Sequence, residues 1–199
     1  MKPAPSTRSL TFYTTNKGKV AELAEQVRPF GVDVVQDASG YPEVQADTLR
    51  EVAEEGARWL LAHGARPPLL LEDSGLFVDA LRGFPGVYSR HALDTIGVAG
   101  LLRLMQDQRD RRAHFASCLV LVETTGAVRF FEGRCDGAIA SASRGAGGFG
   151  FDPVFAPDGQ PPLGVRTFAE MGAAEKTGFS HRGKAVAGLL EHLKRIGKP

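Results

Sequence analysis

The sequence predicts an α/β fold, because strand-like and helix-like segments alternate along its first half. Arg8–Tyr13 has the composition of a strand, and residues 32–35 and the leucine run at 69–71 predict two more. Between these segments, apolar residues recur at the spacing of one helix face. They are Val20, Leu23, Ala24, Val27 and Phe30 in the first helix, and Leu49, Val52, Ala53, Leu60 and Leu61 in the second. This order of elements favours an open α/β sheet.

The second half of the chain contains the most strand-like sequence. Residues 114–123 and 128–134 flank the turn-like TTGA, which predicts a β-hairpin, and residues 138–142 predict another strand. Helices are predicted at residues 95–105 and from about Ser180 onward. The apolar face of the last helix consists of Val186, Leu189, Leu190 and Leu193. The segment TFAE at residues 167–170 has the form of a capping box.

Size, composition and charge restrict the possible functions. With 199 residues, 43% of them hydrophobic, residues 1–199 are expected to form one domain with a substantial core. A net charge of +1 provides no field for polymeric nucleic acid or an anionic membrane. No apolar run approaches the roughly 20 residues that span a bilayer, and the N-terminal sequence lacks the apolar core of a signal peptide. We therefore expect a cytoplasmic protein, with Cys118 as a buried, reduced thiol.

Two adjacent acids are the first candidates for chemistry. Glu72 and Asp73 directly follow the leucine run and precede a Ser-Gly pair, a sequence that predicts the end of a buried strand. Ligands of open α/β sheets bind beyond the carboxyl ends of strands. Mg²⁺ commonly takes one or two carboxylates plus water and phosphate oxygens, which fits Asp73 with Glu43, and Glu72 in reserve. A nucleophilic Ser74 is disfavoured, because no GxSxG motif surrounds it.

Two predicted helix starts carry cations that suit a phosphate group. Thr14, Thr15 and Asn16 precede the first helix, with Lys17 and Lys19 beside them. The alternative there is an ordinary asparagine cap with two solvated lysines. The start of the last helix is accompanied by Lys176, His181, Arg182 and Lys184. Here the alternative is a solvated basic helix end.

The glycine-rich segment at residues 145–150 matches the pattern GxGxxG. We reject a dinucleotide-binding motif, because Phe-Asp-Pro follows where the helix should start and no βαβ unit surrounds it. Exposed rings of Phe149 and Phe151 beside the Asp152 carboxylate would instead suit a nucleobase pocket. The alternative is a glycine turn pinned by core phenylalanines. The sequence also lacks a Walker A motif, which argues against a P-loop enzyme.

Four separated motifs resemble those of the inosine/xanthosine triphosphate pyrophosphatases, which hydrolyse deaminated purine nucleotides. In order, they are TTNKGK at 14–19, LEDSGL at 71–76 with FPGVYSR after it, GGFGFDPVF at 147–155 and EKTGFSHRGKA at 175–185. The resemblance spans essentially the whole chain. It implies a long central mixed sheet with helices on both sides, two lobes enclosing a nucleotide cleft, and a homodimer. It also implies Mg²⁺-dependent cleavage of a purine nucleoside triphosphate to the monophosphate and pyrophosphate.

Carried over by position, the resemblance implies a role for each matching residue. Asp73 is the general base and a metal ligand, and Glu43 is the other metal ligand, although Glu51 competes for that assignment. The phosphates and sugar are held by Thr14, Thr15, Asn16, Lys17, Gly18, Lys19, Ser74 and Lys176. The base is contacted by Phe149, Gly150, Phe151, Asp152, His181 and Arg182.

One difference from the family concerns the helix after the acidic loop. Family members usually carry a substrate-contacting lysine there, whereas this segment reads REVAEEGARWLL. Arg50 or Arg58 could substitute, but a planar guanidinium is not equivalent to an ammonium group. Two other functions stay open: a pyrophosphatase for modified pyrimidine nucleotides, and a nucleotide-binding regulator without catalysis. The retained Asp73 argues against the regulator.

Overall fold

The computed structural model describes residues 8–196, which contain six strands and six α-helices. In chain order they are β1 (Arg8–Tyr13), α1 (Lys17–Val27), β2 (Val32–Asp37), α2 (Leu49–Ala62), β3 (Leu69–Val78), α3 (Ser89–Thr95), α4 (Gly97–Leu104), β4 (Arg112–Val122), β5 (Val128–Ile139), β6 (Phe155–Pro157), α5 (Ala173–Phe179) and α6 (His181–Ile196). Within this range, every helix is too short or too polar to cross a membrane.

The six strands form one mixed sheet in the order β2-β1-β3-β4-β5-β6. Strand β1 runs parallel to β2, with Arg8 opposite Val32, and parallel to β3, with Tyr13 opposite Leu71. Strands β5 and β6 are antiparallel. A tight turn at residues 123–127 joins β4 to β5, as the predicted hairpin requires. The predicted α/β fold with a mixed sheet is confirmed.

The chain divides into two compact units, each with its own hydrophobic core. Among the described residues, the first unit comprises 8–73, 118–131 and 185–196, and the second comprises 74–117 and 132–184. The core of the first unit joins β1 to α1 and α6, through Leu10, Phe12, Leu23, Val27, Val186 and Leu189. The core of the second unit is richer in aromatic rings, and includes Leu76, Val78, Phe115, Phe151, Phe155 and Phe168.

Strand β3 is longer than the sequence predicts. It does not end at the Ser-Gly pair but continues through it to Val78. A Cβ atom at Gly75 would lie 2.2 Å from the carbonyl oxygen of Gly86, so this glycine admits a neighbouring backbone instead of ending the strand. Asp73 consequently occupies the fifth of the ten positions of β3.

Three further predictions fail at the ends of elements. Phe30 and Leu61 are 40% and 38% exposed and do not face the core, because α1 ends before Phe30 and Leu61 lies in the last turn of α2. The helix predicted at 95–105 corresponds to α4 but begins only at Gly97, which adopts φ +63°, and Thr95 ends a separate helix, α3. Residues 138–142 form no separate strand, since β5 runs to Ile139 and the sixth strand is residues 155–157. The capping box at 167–170 and the burial of Cys118 are confirmed.

Candidate active site

Asn16 closes the turn between β1 and α1. Its Oδ1 accepts hydrogen bonds from the backbone N–H groups of Gly18 at 2.9 Å and Lys19 at 3.2 Å. Its own backbone N–H donates to Oγ1 of Thr14 at 3.1 Å. This is an ordinary asparagine cap. The asparagine cap that the alternative interpretation predicts at the start of α1 is therefore confirmed.

Lys19 lies beside the acids of β3. Its Nζ donates to the backbone oxygen of Glu72 at 3.1 Å and lies 4.0 Å from Oε1 of the same residue. The Lys19 side chain is 13% exposed and that of Glu72 is fully buried, whereas Lys17 is exposed. The expectation of two solvated lysines is therefore wrong for Lys19. The pair brings the start of α1 next to the acids of β3.

Three carboxylates act electrostatically on the phenol group of Tyr41. Burial, together with the negative charges of Asp73, Glu43 and Glu72, raises the pKa of Tyr41 above its ordinary value. Glu43 is exposed, Asp73 is partly buried and Glu72 is buried. Electrostatic effects of this kind weaken with distance. The acids of β3 and of the loop before α2 therefore lie in one region of the first unit. Oxygen ligands of this type suit a hard divalent cation.

Glu51, the competing metal ligand, already has other hydrogen-bond partners. Its Oε2 accepts from the backbone N–H of Thr48 at 3.0 Å, from Oγ1 of Thr48 at 2.9 Å and from the backbone N–H of Asp47 at 3.2 Å. The bond from the Thr48 backbone, with that from the Glu51 N–H to Oγ1 of Thr48 at 3.2 Å, forms the capping box of α2, and the hydrogen bonds from Thr48 lower the pKa of Glu51. The geometry therefore favours Glu43 over Glu51 as the partner of Asp73.

Asp73 and Glu43 are the two predicted protein ligands of a metal ion. In residues 8–196, no group of three or more His, Cys, Asp or Glu side chains is arranged to hold a metal ion. A Mg²⁺ ion held by Asp73 and Glu43 would take its remaining ligands from water and phosphate, as Mg²⁺ commonly does. The residues present fit such an ion.

The arginines of α2 contact other groups. Arg58 forms ion pairs with Glu54, at 2.6 Å, and with Glu55 on the same helix. The guanidinium carbon of Arg50 lies 3.9 Å from the centroid of the Phe130 ring. These contacts favour neither arginine as a direct replacement for the lysine that family members carry on this helix.

Asp152, one of the predicted base-binding residues of the second unit, forms a buried ion pair with Lys176. Oδ2 of Asp152 accepts a hydrogen bond from the backbone N–H of Phe149 at 2.8 Å and from Nζ of Lys176 at 2.7 Å. Asp152 and Lys176 are only 3% and 5% exposed. The same ammonium lies 4.6 Å from the centroid of the Phe149 ring. Phe151 is 4% exposed and belongs to the core, so the expectation that it is exposed is wrong, while Phe149 is partly exposed.

The first residues of α6 are buried. The His181 ring stacks on Phe115 with centroids 4.7 Å apart. The guanidinium of Arg182 lies 5.3 Å from the Phe149 centroid, and Nη2 donates to Oγ of Ser74 at 3.4 Å. A solvated basic helix end is therefore the wrong description for His181 and Arg182. Two cations, Lys176 and Arg182, flank the Phe149 ring.

Comparison with known proteins identifies the relatives of this chain. The model of the Ham1 family matches residues 10–192. The chain belongs to the Ham1 family. A Thermococcus kodakarensis protein named dITP/XTP pyrophosphatase is 51% identical over 185 residues, which cover 93% of this chain and 97% of that protein. A Pyrococcus horikoshii protein of the same name is 45% identical, over 92% of this chain and 95% of that one.

Solved structures of Ham1 proteins share the fold. The Staphylococcus aureus Ham1 protein superposes with a TM-score of 0.78 at 26% identity, covering 95% of this chain and all of that one. A nucleoside-triphosphatase described as a dITP/XTP pyrophosphatase, from Mycobacterium abscessus, gives 0.68 at 36% identity, covering 92% and 98%. Membership of the Ham1 family confirms the resemblance that the four motifs carry.

In this Ham1 protein, the predicted site residues fall into two groups. Thr14 to Lys19, Glu43 and Asp73 belong to the first unit, whereas Ser74, Phe149 to Asp152, Lys176, His181 and Arg182 belong to the second. Asp73 and Ser74 are consecutive residues of β3. Sequence reasoning missed Tyr41 and Phe115. No local pattern marks either residue, because each is defined by a contact with a segment distant in the chain.

Proposed function

We propose that this protein hydrolyses deaminated purine nucleoside triphosphates, namely ITP, dITP and XTP, to the monophosphate and pyrophosphate. The observation that carries the proposal is the position of Asp73 in β3, directly after Glu72, which contacts the Lys19 ammonium. Carboxylates and an ammonium in one region suit a metal-bound triphosphate. The names and high identity of the Thermococcus and Pyrococcus relatives support this assignment.

Asp73 is proposed as the general base. Its carboxylate would orient a water molecule and accept its proton while the water oxygen attacks phosphorus and the bond to pyrophosphate breaks. Lys19 and the start of α1 would hold phosphate oxygens. Asp73 and Glu43 would hold Mg²⁺, which supplies charge neutralisation on the triphosphate. Most of the catalytic effect would come from positioning, as in other phosphoryl transfers.

The second unit is proposed to contact the base. The partly exposed Phe149 ring offers a face for stacking, and His181 and Arg182 supply hydrogen-bond donors. Inosine and xanthosine present a 6-oxo acceptor and an N1–H donor, where adenine has the reverse. A protein donor that faces the 6-oxo group of these bases would face the 6-amino group of adenine, which cannot accept its hydrogen bond. Both groups would be buried without a partner, so adenine would bind poorly. For Asp152 and Lys176, the buried ion pair supports a structural role, and contact with substrate stays a prediction.

Product identification tests the reaction type. The protein is incubated with dITP and Mg²⁺, and ³¹P NMR identifies the products. We expect dIMP and pyrophosphate; orthophosphate with dIDP would contradict the proposal.

A panel of nucleoside triphosphates tests the choice of base. Equal kcat/KM values for ATP and ITP would contradict the proposed contacts between the second unit and the base. Faster turnover of modified pyrimidine nucleotides than of ITP would favour a pyrophosphatase for those nucleotides. Tight binding of ITP without turnover would indicate a nucleotide-binding regulator.

Replacing Glu43 and Glu51 separately tests the metal assignment. We expect Glu43→Gln to raise the Mg²⁺ concentration for half-maximal activity by about tenfold or more, because a ligand is lost. Glu51→Gln serves as the matched control; it should weaken the α2 cap and lower the unfolding midpoint without changing the Mg²⁺ requirement. Mg²⁺ titrations and thermal unfolding of both variants measure these effects. The opposite pattern would assign the metal to Glu51.

We also propose that residues 1–199 act as one catalytic domain, because β3, β4 and β5 each contribute residues to both units. The homodimer and the cytoplasmic location implied at the start stay predictions. Sedimentation of the purified protein measures the first, and fractionation of the source cells measures the second.

A further inference from the structure

We propose that Thr167 is a positioning residue for the glycine loop, residues 144–150, which presents the Phe149 ring to the base. The inference deepens the proposed function, on which it rests, because it says how that ring is fixed before a nucleotide binds. Thr167 is fully buried and begins the turn of residues 167–170. The glycine loop lies at the surface and has no helix or strand of its own between residues 144 and 150.

Thr167 holds the first residue of the glycine loop. Its Oγ1 donates to the backbone oxygen of Arg144 at 2.9 Å. The Arg144 side chain returns to the same turn, since its Nε lies 3.5 Å from Oε2 of Glu170. That Oε2 atom also accepts a hydrogen bond from the backbone N–H of Thr167 at 2.8 Å. The turn therefore binds Arg144 through both its backbone and its side chain.

The next residues of the glycine loop lie against the backbone of the turn. The N–H of Gly147 donates to the carbonyl oxygen of Ala169 at 3.0 Å. A Cβ atom at Gly145, which has φ +79°, would lie 2.4 Å from the carbonyl carbon of Ala169 and 2.5 Å from its oxygen. Only glycine fits at such a distance and φ. The glycine at position 145 thus allows the loop to follow the turn.

These contacts determine where the Phe149 ring begins. Phe149 comes two residues after Gly147, and its N–H donates to Oδ2 of Asp152 at 2.8 Å. The glycine loop is therefore fixed by the turn at residues 144 and 147, and by Asp152 at residue 149. A loop that is ordered in advance does not lose further conformational entropy when a ligand binds. The turn accordingly favours stacking of a base on Phe149.

The turn is a firm support because its second residue lies in the core. Phe168 is fully buried, and its ring centroid lies 5.2 Å from that of Phe155 and 6.1 Å from that of Phe115. The ring of His181, another proposed base contact, stacks on the same Phe115 ring. The glycine loop thus takes its position from the aromatic core that also supports His181.

Thr167→Val removes the hydroxyl group at nearly constant volume. In the protein without nucleotide, we expect amide hydrogen exchange at residues 145–150 to become about fivefold faster, because a hydrogen bond that holds the loop is lost. By titration calorimetry, the Kd for IMP should rise by a similar factor. The Kd for Mg²⁺-tripolyphosphate, which has no base, should stay unchanged. In dITP hydrolysis, KM should rise and kcat should not change.

Three further variants complete the test. Thr167→Ser keeps the hydroxyl group and should behave as the parent protein does. Gly145→Ala keeps Thr167 but forces the loop away from Ala169, and should reproduce the effects of Thr167→Val; at its exposed position it also decides the question if Thr167→Val does not fold. Thr95→Val is the matched control, because Oγ1 of Thr95 donates to the backbone oxygen of His91 at 2.8 Å on the exposed side of α3. It should change neither exchange at 145–150 nor the Kd for IMP.

Two results would overturn the inference in a folded Thr167→Val or Gly145→Ala variant. One is unchanged exchange at residues 145–150, and the other is equal weakening of IMP and tripolyphosphate binding, which would indicate a general structural defect. Both leave the proposed reaction intact. If the parent protein does not hydrolyse dITP, the proposed function fails, whereas the exchange measurement still decides the role of Thr167.

Discussion

Replacing Asp73 with asparagine is expected to lower kcat/KM for dITP by about 10²–10⁴-fold, the usual contribution of a general base. The amide has nearly the shape of the carboxylate but cannot accept the proton of the attacking water. Because the change is isosteric at a partly buried position, the fold should persist. Pyrophosphate release measures the activity, and circular dichroism with thermal unfolding measures the fold.

Asp79→Asn is the matched control for this experiment. Asp79 follows β3 directly and its side chain is 43% exposed, 3.7 Å from Arg112. Its replacement should leave the activity unchanged, because Asp79 has no proposed role in the site, and the stability nearly unchanged, because exposed ion pairs contribute little to it. Near-normal turnover by Asp73→Asn would remove Asp73 from its proposed role.

Lys176→Met is expected to reduce the free energy of unfolding by about 3–5 kcal/mol, because it leaves a buried charge without its counter-ion. The side chains of Lys176 and Asp152 are 7% and 5% exposed, and their charged atoms lie 2.7 Å apart. The double variant Asp152→Asn/Lys176→Met should recover much of the loss, since the amide oxygen can still accept from the Phe149 N–H. Urea denaturation of the single and double variants measures the difference.

Arg58→Met provides the comparison for an exposed pair. Arg58 is 63% exposed and bonded to Glu54, so its replacement should change the free energy of unfolding by only about 0.5 kcal/mol. If the double variant at residues 152 and 176 is as unstable as Lys176→Met, the ion pair is not the source of the effect.

The parts of the fold that could be predicted are those that local patterns determine. Strand β1, the β4–β5 hairpin and helix α6 each carry their own periodicity or turn sequence. The continuation of β3 could not be predicted, because it depends on the carbonyl of Gly86 lying against Gly75. A Ser-Gly pair looks the same whether it ends a strand or admits another backbone.

Motifs indicate which residues form the candidate site, but they do not contain the partners that these residues have in the structure. The Asp152–Lys176 bond joins residues 24 apart in the chain, and the Arg182–Ser74 contact joins residues 108 apart. Local patterns gave Lys19 the features of a solvated cation, yet its ammonium contacts Glu72 of β3 and its side chain is only 13% exposed. Burial of charge depends on such distant partners, which a local pattern does not contain.

The uninterrupted course of β3 has a consequence for how the proposed metal site assembles. Strand β3 lies between β1 and β4, and its pairing with β1 ends at Leu71, so Asp73 belongs to a strand that opens only together with its neighbours. Residues 38–48 have no such ladder, and Glu43 therefore sits on a segment that can open alone. When the carboxylates of Asp73 and Glu43 come together, nearly all of the lost conformational entropy is therefore that of the loop. The proposed affinity for the cation is thus adjustable by loop substitutions that leave the proposed catalytic base undisturbed.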